Sequence, residues 1–112
     1  LNDSVSFNNS VANEYATILH NTLNKRVKRK YPRKALQNCI EGTVTVQIQI
    51  SPSGEQLAYD ILNADEAPSI LRKATEKILN QRREFSSFNE DLSDQPMTFQ
   101  VNLVYRLPQC AK

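Results

Sequence analysis

The stretch from Gly42 to Ile61 leaves a chain like this few folds. Val44, Val46, Ile48 and Ile50 alternate strictly with Thr45, Gln47 and Gln49, the period-two signature of a strand with one apolar and one polar face. Ser51-Pro52-Ser53-Gly54 is a turn, in which proline presets one dihedral and glycine supplies a positive one. Leu57, Tyr59 and Ile61 then alternate again and predict the returning strand of a hairpin.

The rest of the chain supplies the cover for that apolar face. Val11, Tyr15, Ile18, Leu19, Leu23 and Val27 recur at helical spacing, with Asn9 or Ser10 as a cap and Pro32 as the stop. Pro68 suits the first turn of a second helix, whose stripe is Ile70, Leu71, Ala74, Ile78 and Leu79. Residues 82–96 are polar and loop-like. Phe99, Val101, Leu103 and Tyr105 alternate as a third strand, stopped by Pro108. The expected fold class is α+β: helix, β-hairpin, helix, strand. Its three-stranded antiparallel sheet has the order 2-1-3, with a right-handed crossover and both helices on one face. Residues 1–9 are expected to be a flexible polar segment and 10–112 a single domain.

At 112 residues and 12.8 kDa the chain suits one small domain, and its 39% hydrophobic and 23% charged content argues against disorder. No apolar run approaches the roughly 18 residues of a membrane span, and no signal-peptide pattern opens the chain. The chain starts without Met, as a mature product or an excised fragment would. Net charge is only +2, but Lys25, Arg26, Lys28, Arg29, Lys30, Arg33 and Lys34 crowd together. That block is either a solvated helix end or a surface for a polyanion or acidic partner.

Catalytic chemistry is hard to find. His20 is the single histidine and neighbours the apolar stripe of the first helix. Asp60, Asp65 and Glu66 belong to a strand end and a loop, and Asp91 with Asp94 lacks companion ligands. With only Gly42 and Gly54 there is no phosphate-cradling loop. One His and two Cys cannot close a structural zinc site. Cys39 precedes the first strand and Cys110 follows the third, at one end of the expected sheet. They are either two incidental thiols or a disulfide, the latter implying an oxidising compartment. A bond closing so long a loop stabilises by on the order of 4 kcal/mol in the chain-entropy model.

In order 2-1-3 the third strand is an edge, expected to carry unpaired amides and carbonyls. An extended peptide can add alongside it. Gln100, Asn102, Val104 and Arg106 face away from the core and would meet the peptide's side chains. Whether the first helix covers that edge, and would then act as a displaceable guard, is not set by the pattern.

The segment Tyr31-Pro32, Ala35, Ile40-Glu41-Gly42, Val44, Val46 and Pro52-x-Gly54 resembles the C-terminal domain of the TonB family. Arg82, Arg83 and Phe85, and the final FQVNLVYR at 99–106, are similar to later parts of it, so the likeness covers Lys30 to about Leu107. Glu84-Phe85-Ser86-Ser87 replaces the family's aromatic-proline helix end. The long first helix and the cysteines depart from it too, and a preceding helix with a terminal disulfide is similar to TolA instead. The TonB resemblance implies a non-enzymatic periplasmic energy transducer, with no cofactor. Its full-length form is anchored in the inner membrane by a segment absent here. Its implied partners are proton-driven motor proteins and TonB-dependent outer-membrane receptors for iron-siderophore, haem or cobalamin. The domain would grip the receptor's TonB box, with Tyr31 and Pro32 touching it. For Tyr31 and Pro32 the alternative is a helix stop with an aromatic packed on the sheet. The competing functions are a TolA-like envelope-integrity domain, a nucleic-acid-binding module using residues 25–34, and an oligomer built by strand exchange. The expected state is a monomer that can form a strand-exchanged dimer.

Overall fold

Along Gly42–Ile50, strand β1, the four aliphatic residues at alternate positions are fully buried, and the polar ones between them face outward. The computed structural model describes residues 2–81, 84–88 and 94–107, with side chains described from Asn13 onward. Helix α1 (Asn2–Arg29) and a short helix α2 (Arg33–Gln37) precede β1; β2 (Gln56–Ile61), α3 (Ser69–Asn80) and β3 (Met97–Tyr105) follow it. The sheet is antiparallel with the order β2-β1-β3, as expected from the order of the elements.

β3 pairs with β1 from Gly42↔Tyr105 to Ile50↔Met97 without a slip. Phe99, Val101, Leu103 and Tyr105 therefore share the inner face with Val44, Val46, Ile48 and Ile50. α1 lies against β3 through Tyr15, Leu19, Leu23 and Val27, and α3 supplies Leu71, Ala74, Ile78 and Leu79. Burying each Leu or Ile of this set stabilises the fold by roughly 1.5–3 kcal/mol.

Several local expectations are corrected. α1 begins at Asn2, so Asn9 and Ser10 lie inside the helix and not at its start. Weak helix formers cost only fractions of a kcal/mol each, so a short polar run need not delay a helix. Ile18 is 51% exposed, because the buried i, i+4 row of Tyr15, Leu19, Leu23 and Val27 leaves it to one side. Leu57 is 40% exposed. A register shift between Gln49 and Ile50 pairs Ala58 and Gln56 with consecutive β1 residues and leaves Leu57 out of the ladder. Gln56 takes the inner position and donates through Nε2 to the Leu79 carbonyl at 2.8 Å.

α2 is an addition too short for periodicity to reveal. It ends in a Schellman turn: the Ile40 N–H donates to the Ala35 carbonyl at 2.9 Å, and Cys39 takes the left-handed position with φ 53. The described part of the expected 82–96 loop is irregular but not idle. Phe85 and Phe88 pack on the core, and their N–H groups donate to Gly54 and Pro52 of the hairpin turn at 2.8 Å each. Tyr15 joins this seal from α1, its hydroxyl donating to the Ser86 carbonyl at 2.6 Å.

Candidate functional site

β3 is the outermost strand on the α1 side. The Thr45 N–H donates to Asn63 Oδ1 and the Thr45 carbonyl accepts from the Leu62 N–H, both on the β2 side. Backbone groups alternate sides along an antiparallel strand. Val44 and Val46 thus turn theirs to β3, where Leu103 and Val101 answer them. The backbone groups of Thr98, Gln100, Asn102 and Val104 point away from the sheet.

That edge is not the uninterrupted row of free groups expected from the sequence. The Asn24 side chain, projecting from α1, donates through Nδ2 to the Asn102 carbonyl at 3.1 Å, and its Oδ1 accepts from the Val104 N–H at 2.8 Å. The same Nδ2 also donates to the His20 carbonyl at 2.9 Å, which holds the amide along its own helix. Packing the apolar stripe of α1 on β3 carries this half-buried asparagine to the strand's outer rim. Nothing in the linear pattern marks it, because Asn24 reads as an ordinary polar position between Leu23 and Val27.

Gln100, Asn102 and Arg106 are exposed and Val104 is half-buried. Asn102 Oδ1 accepts from the Thr45 hydroxyl at 2.9 Å, on the outer face of the sheet. Tyr31, Val104 and Arg106 come together in one groove of about 390 Å³ beside the edge, with His20, Asn24 and Lys28. Gln100 lines a second groove, about 300 Å³, with Asn13, Thr17 and His20. Pro32 does not join them. It lines a separate groove against α3, and its carbonyl accepts from the Leu36 N–H at 3.0 Å to start α2.

Tyr31 has a structural duty as well. Its hydroxyl donates to the Ile40 carbonyl at 2.6 Å, and its ring meets Tyr105 edge-on at 5.4 Å. Burial, then the nearby Glu41 carboxylate, raises its phenol above the ordinary value. Burial also raises the Tyr105 phenol, against a hydrogen bond with Thr75 that lowers it. Thr75 was not part of the expected stripe, yet it is fully buried, donating to the Leu71 carbonyl with the Tyr105 hydroxyl 2.9 Å away. Tyr105, the last inner residue of β3, supplies the polar partner that makes this threonine tolerable in the core.

The basic block is a solvated surface in which Arg26 is the exception, lying over the Phe85 ring at 5.0 Å. Asp60, Asp65, Glu66 and Asp94 are exposed. Among the described residues no group of three or more His, Cys, Asp or Glu could hold a metal ion, and no helix is long and apolar enough to cross a membrane. Arg82, Arg83, Asp91 and Cys110 lie outside the described residues, and so does the Cys39–Cys110 pairing. At that end of the sheet Gly42 faces Tyr105, and the Leu107 N–H donates to the Glu41 carboxylate.

The family model for the Gram-negative bacterial TonB protein C-terminal matches residues 27–107. Comparison with curated proteins and with solved structures returns no match.

Proposed function

This chain belongs to the family of Gram-negative bacterial TonB protein C-terminal domains, and from that premise we propose that it is the receptor-gripping end of an energy transducer. The family itself gives the coarse assignment, a periplasmic TonB-like interaction domain directed at outer-membrane receptors and not an enzyme. In the finer reading the domain takes the TonB box of a receptor as an added strand on β3. Force from the inner-membrane proton-driven motor then passes through the sheet to that strand and remodels the receptor's plug, admitting iron-siderophore, haem or cobalamin.

The observation that carries this reading is the position of β3: outermost in the sheet, with Gln100, Asn102 and Arg106 exposed and Tyr31 in the groove beside Val104. β3 pairs with β1 along its whole length. A load on an added strand would therefore be shared by a full ladder and not by one bond. About five or six new backbone bonds at roughly 1 kcal/mol each, less the ordering of the peptide, give a modest affinity. Modest affinity suits a grip that must let go.

The experiment is an amide-shift titration of the isotope-labelled chain with a synthetic peptide containing a receptor TonB box. Shifts concentrated at residues 98–106 and around Tyr31 are expected. A peptide that binds while leaving β3 unshifted, or that produces no shifts at millimolar concentration, rules the strand-addition reading out.

A further inference from the structure

α1 and the outer rim of β3 run side by side, and the two grooves between them are separated where Asn24 reaches the strand. One flanks Gln100 and the other flanks Val104 and Arg106, with His20 lining both. We propose that Asn24 is a gate on this surface: its carboxamide holds the Asn102 carbonyl and the Val104 N–H, and an extended peptide completes its pairing along β3 only by displacing it. The proposal rests on the strand-addition reading and names what regulates that site.

The chemistry of the group suits a gate better than a permanent lock. A carboxamide offers one acceptor and two donor hydrogens, and Asn24 uses them on Val104, Asn102 and His20. The bonds to Asn102 and Val104 take one carbonyl and the N–H two residues on, the same pair that a residue of a parallel neighbouring strand would take. Asn24 thus stands in for a partner strand when none is present, and it blunts an edge that would otherwise template self-association. Its release requires rotation about two side-chain bonds, while Leu19, Leu23 and Val27 keep α1 on the sheet. The freed amide is half-buried on the helix surface and meets water, so the protein bonds are exchanged for hydration at small net cost. Among the described residues no hydrogen bond holds the outward backbone groups of Thr98 or Gln100. A peptide therefore seats there first and meets Asn24 as it extends towards Val104.

The test uses the whole 112-residue chain as wild type, Asn24→Ala and Asn24→Asp, with the same synthetic TonB-box peptide. Without peptide, Asn24→Ala is expected to speed amide exchange at Val104 while leaving Val46 and Ile48 protected, which also shows that the variant folds. With peptide, Asn24→Ala is expected to bind about tenfold more tightly, since a released competition worth about 1.4 kcal/mol is tenfold in affinity. Asn24→Asp keeps the acceptor for Val104 and loses the donor to Asn102, so it is expected to fall between the other two. Equal affinities in all three chains, with shifts still mapping to residues 98–106, would refute the gate and leave strand addition standing. Unchanged Val104 exchange in Asn24→Ala would refute the gate as well. Absence of peptide shifts in every chain would remove strand addition, and the gate with it.

Discussion

Gly54→Ala isolates the contact that seals one end of the core. Gly54 is buried with φ 93, a backbone conformation that side-chain-bearing residues rarely adopt, and holding an alanine there costs about 1–3 kcal/mol. Space is the second problem. A Cβ at this position would overlap the Phe85 carbonyl oxygen and stand 3.0 Å from the Ser86 oxygen, so segment 85–88 must retreat. That retreat weakens the bonds from Phe85 to Gly54 and from Phe88 to Pro52, each worth a net of roughly 0.5–1.5 kcal/mol. Together these give a loss of about 2–6 kcal/mol, a large part of the roughly 5–15 kcal/mol that holds a small domain together. Urea unfolding followed by far-UV circular dichroism should show the midpoint falling by on the order of 2 M. Gly42→Ala is the matched control. Its φ is not positive, and the nearest atoms to a Cβ there belong to side chains, Pro68 Cδ at 3.1 Å and Leu71 Cδ1 at 3.3 Å. Those atoms can yield, so the control should lose under about 1.5 kcal/mol. A Gly54→Ala midpoint at or above that of Gly42→Ala would overturn the reasoning.

Two further outcomes follow from the tyrosines and the cysteines. Burial lifts the Tyr15 and Tyr105 phenols above their ordinary value of 10.0, so the folded state holds these protons more tightly than the unfolded chain does. Their contribution is fully present below about pH 10 and is lost as pH rises through the folded values; urea midpoints that stay level from about pH 9 to 11.5 would contradict this. We also propose the Cys39–Cys110 disulfide, because Cys39 occupies a left-handed position that glycine would fill more easily and the Glu41–Leu107 bond closes the same end of the sheet. Reduction is then expected to cost on the order of 4 kcal/mol, and alkylation of two thiols in the unfolded, unreduced chain would dismiss the bond.

Much of the fold was legible in short patterns. Period two in Val44–Ile50 and in Phe99–Tyr105 decided which side chains enter the core, because a pleated strand leaves no other choice of face. The i, i+4 row from Tyr15 to Val27 and the stripe in Ser69–Asn80 supplied the two helices, and their lengths left one simple way to cover the sheet. Where the pattern misled, a local irregularity had broken its period. The shift at Gln49/Ile50 turned Leu57 out and Gln56 in. α2 was too short to be periodic, and Thr75 was polar by type but acceptable inside once Tyr105 lay within hydrogen-bonding distance.

The candidate site divides along the same line. Alternation alone placed Gln100, Asn102, Val104 and Arg106 on the side away from the core, and the order of elements alone made β3 an edge. Whether that edge is open depends on a residue 78 positions from Asn102 in sequence. Only the packing of α1 on β3 brings Asn24 to the rim and joins Tyr31 to Val104 and Arg106, while Pro32 falls in a different groove against α3. Periodicity records which face of an element is buried. It carries no information about what two packed elements present along their shared margin, because that depends on how far one slides and turns against the other before its side chains interlock.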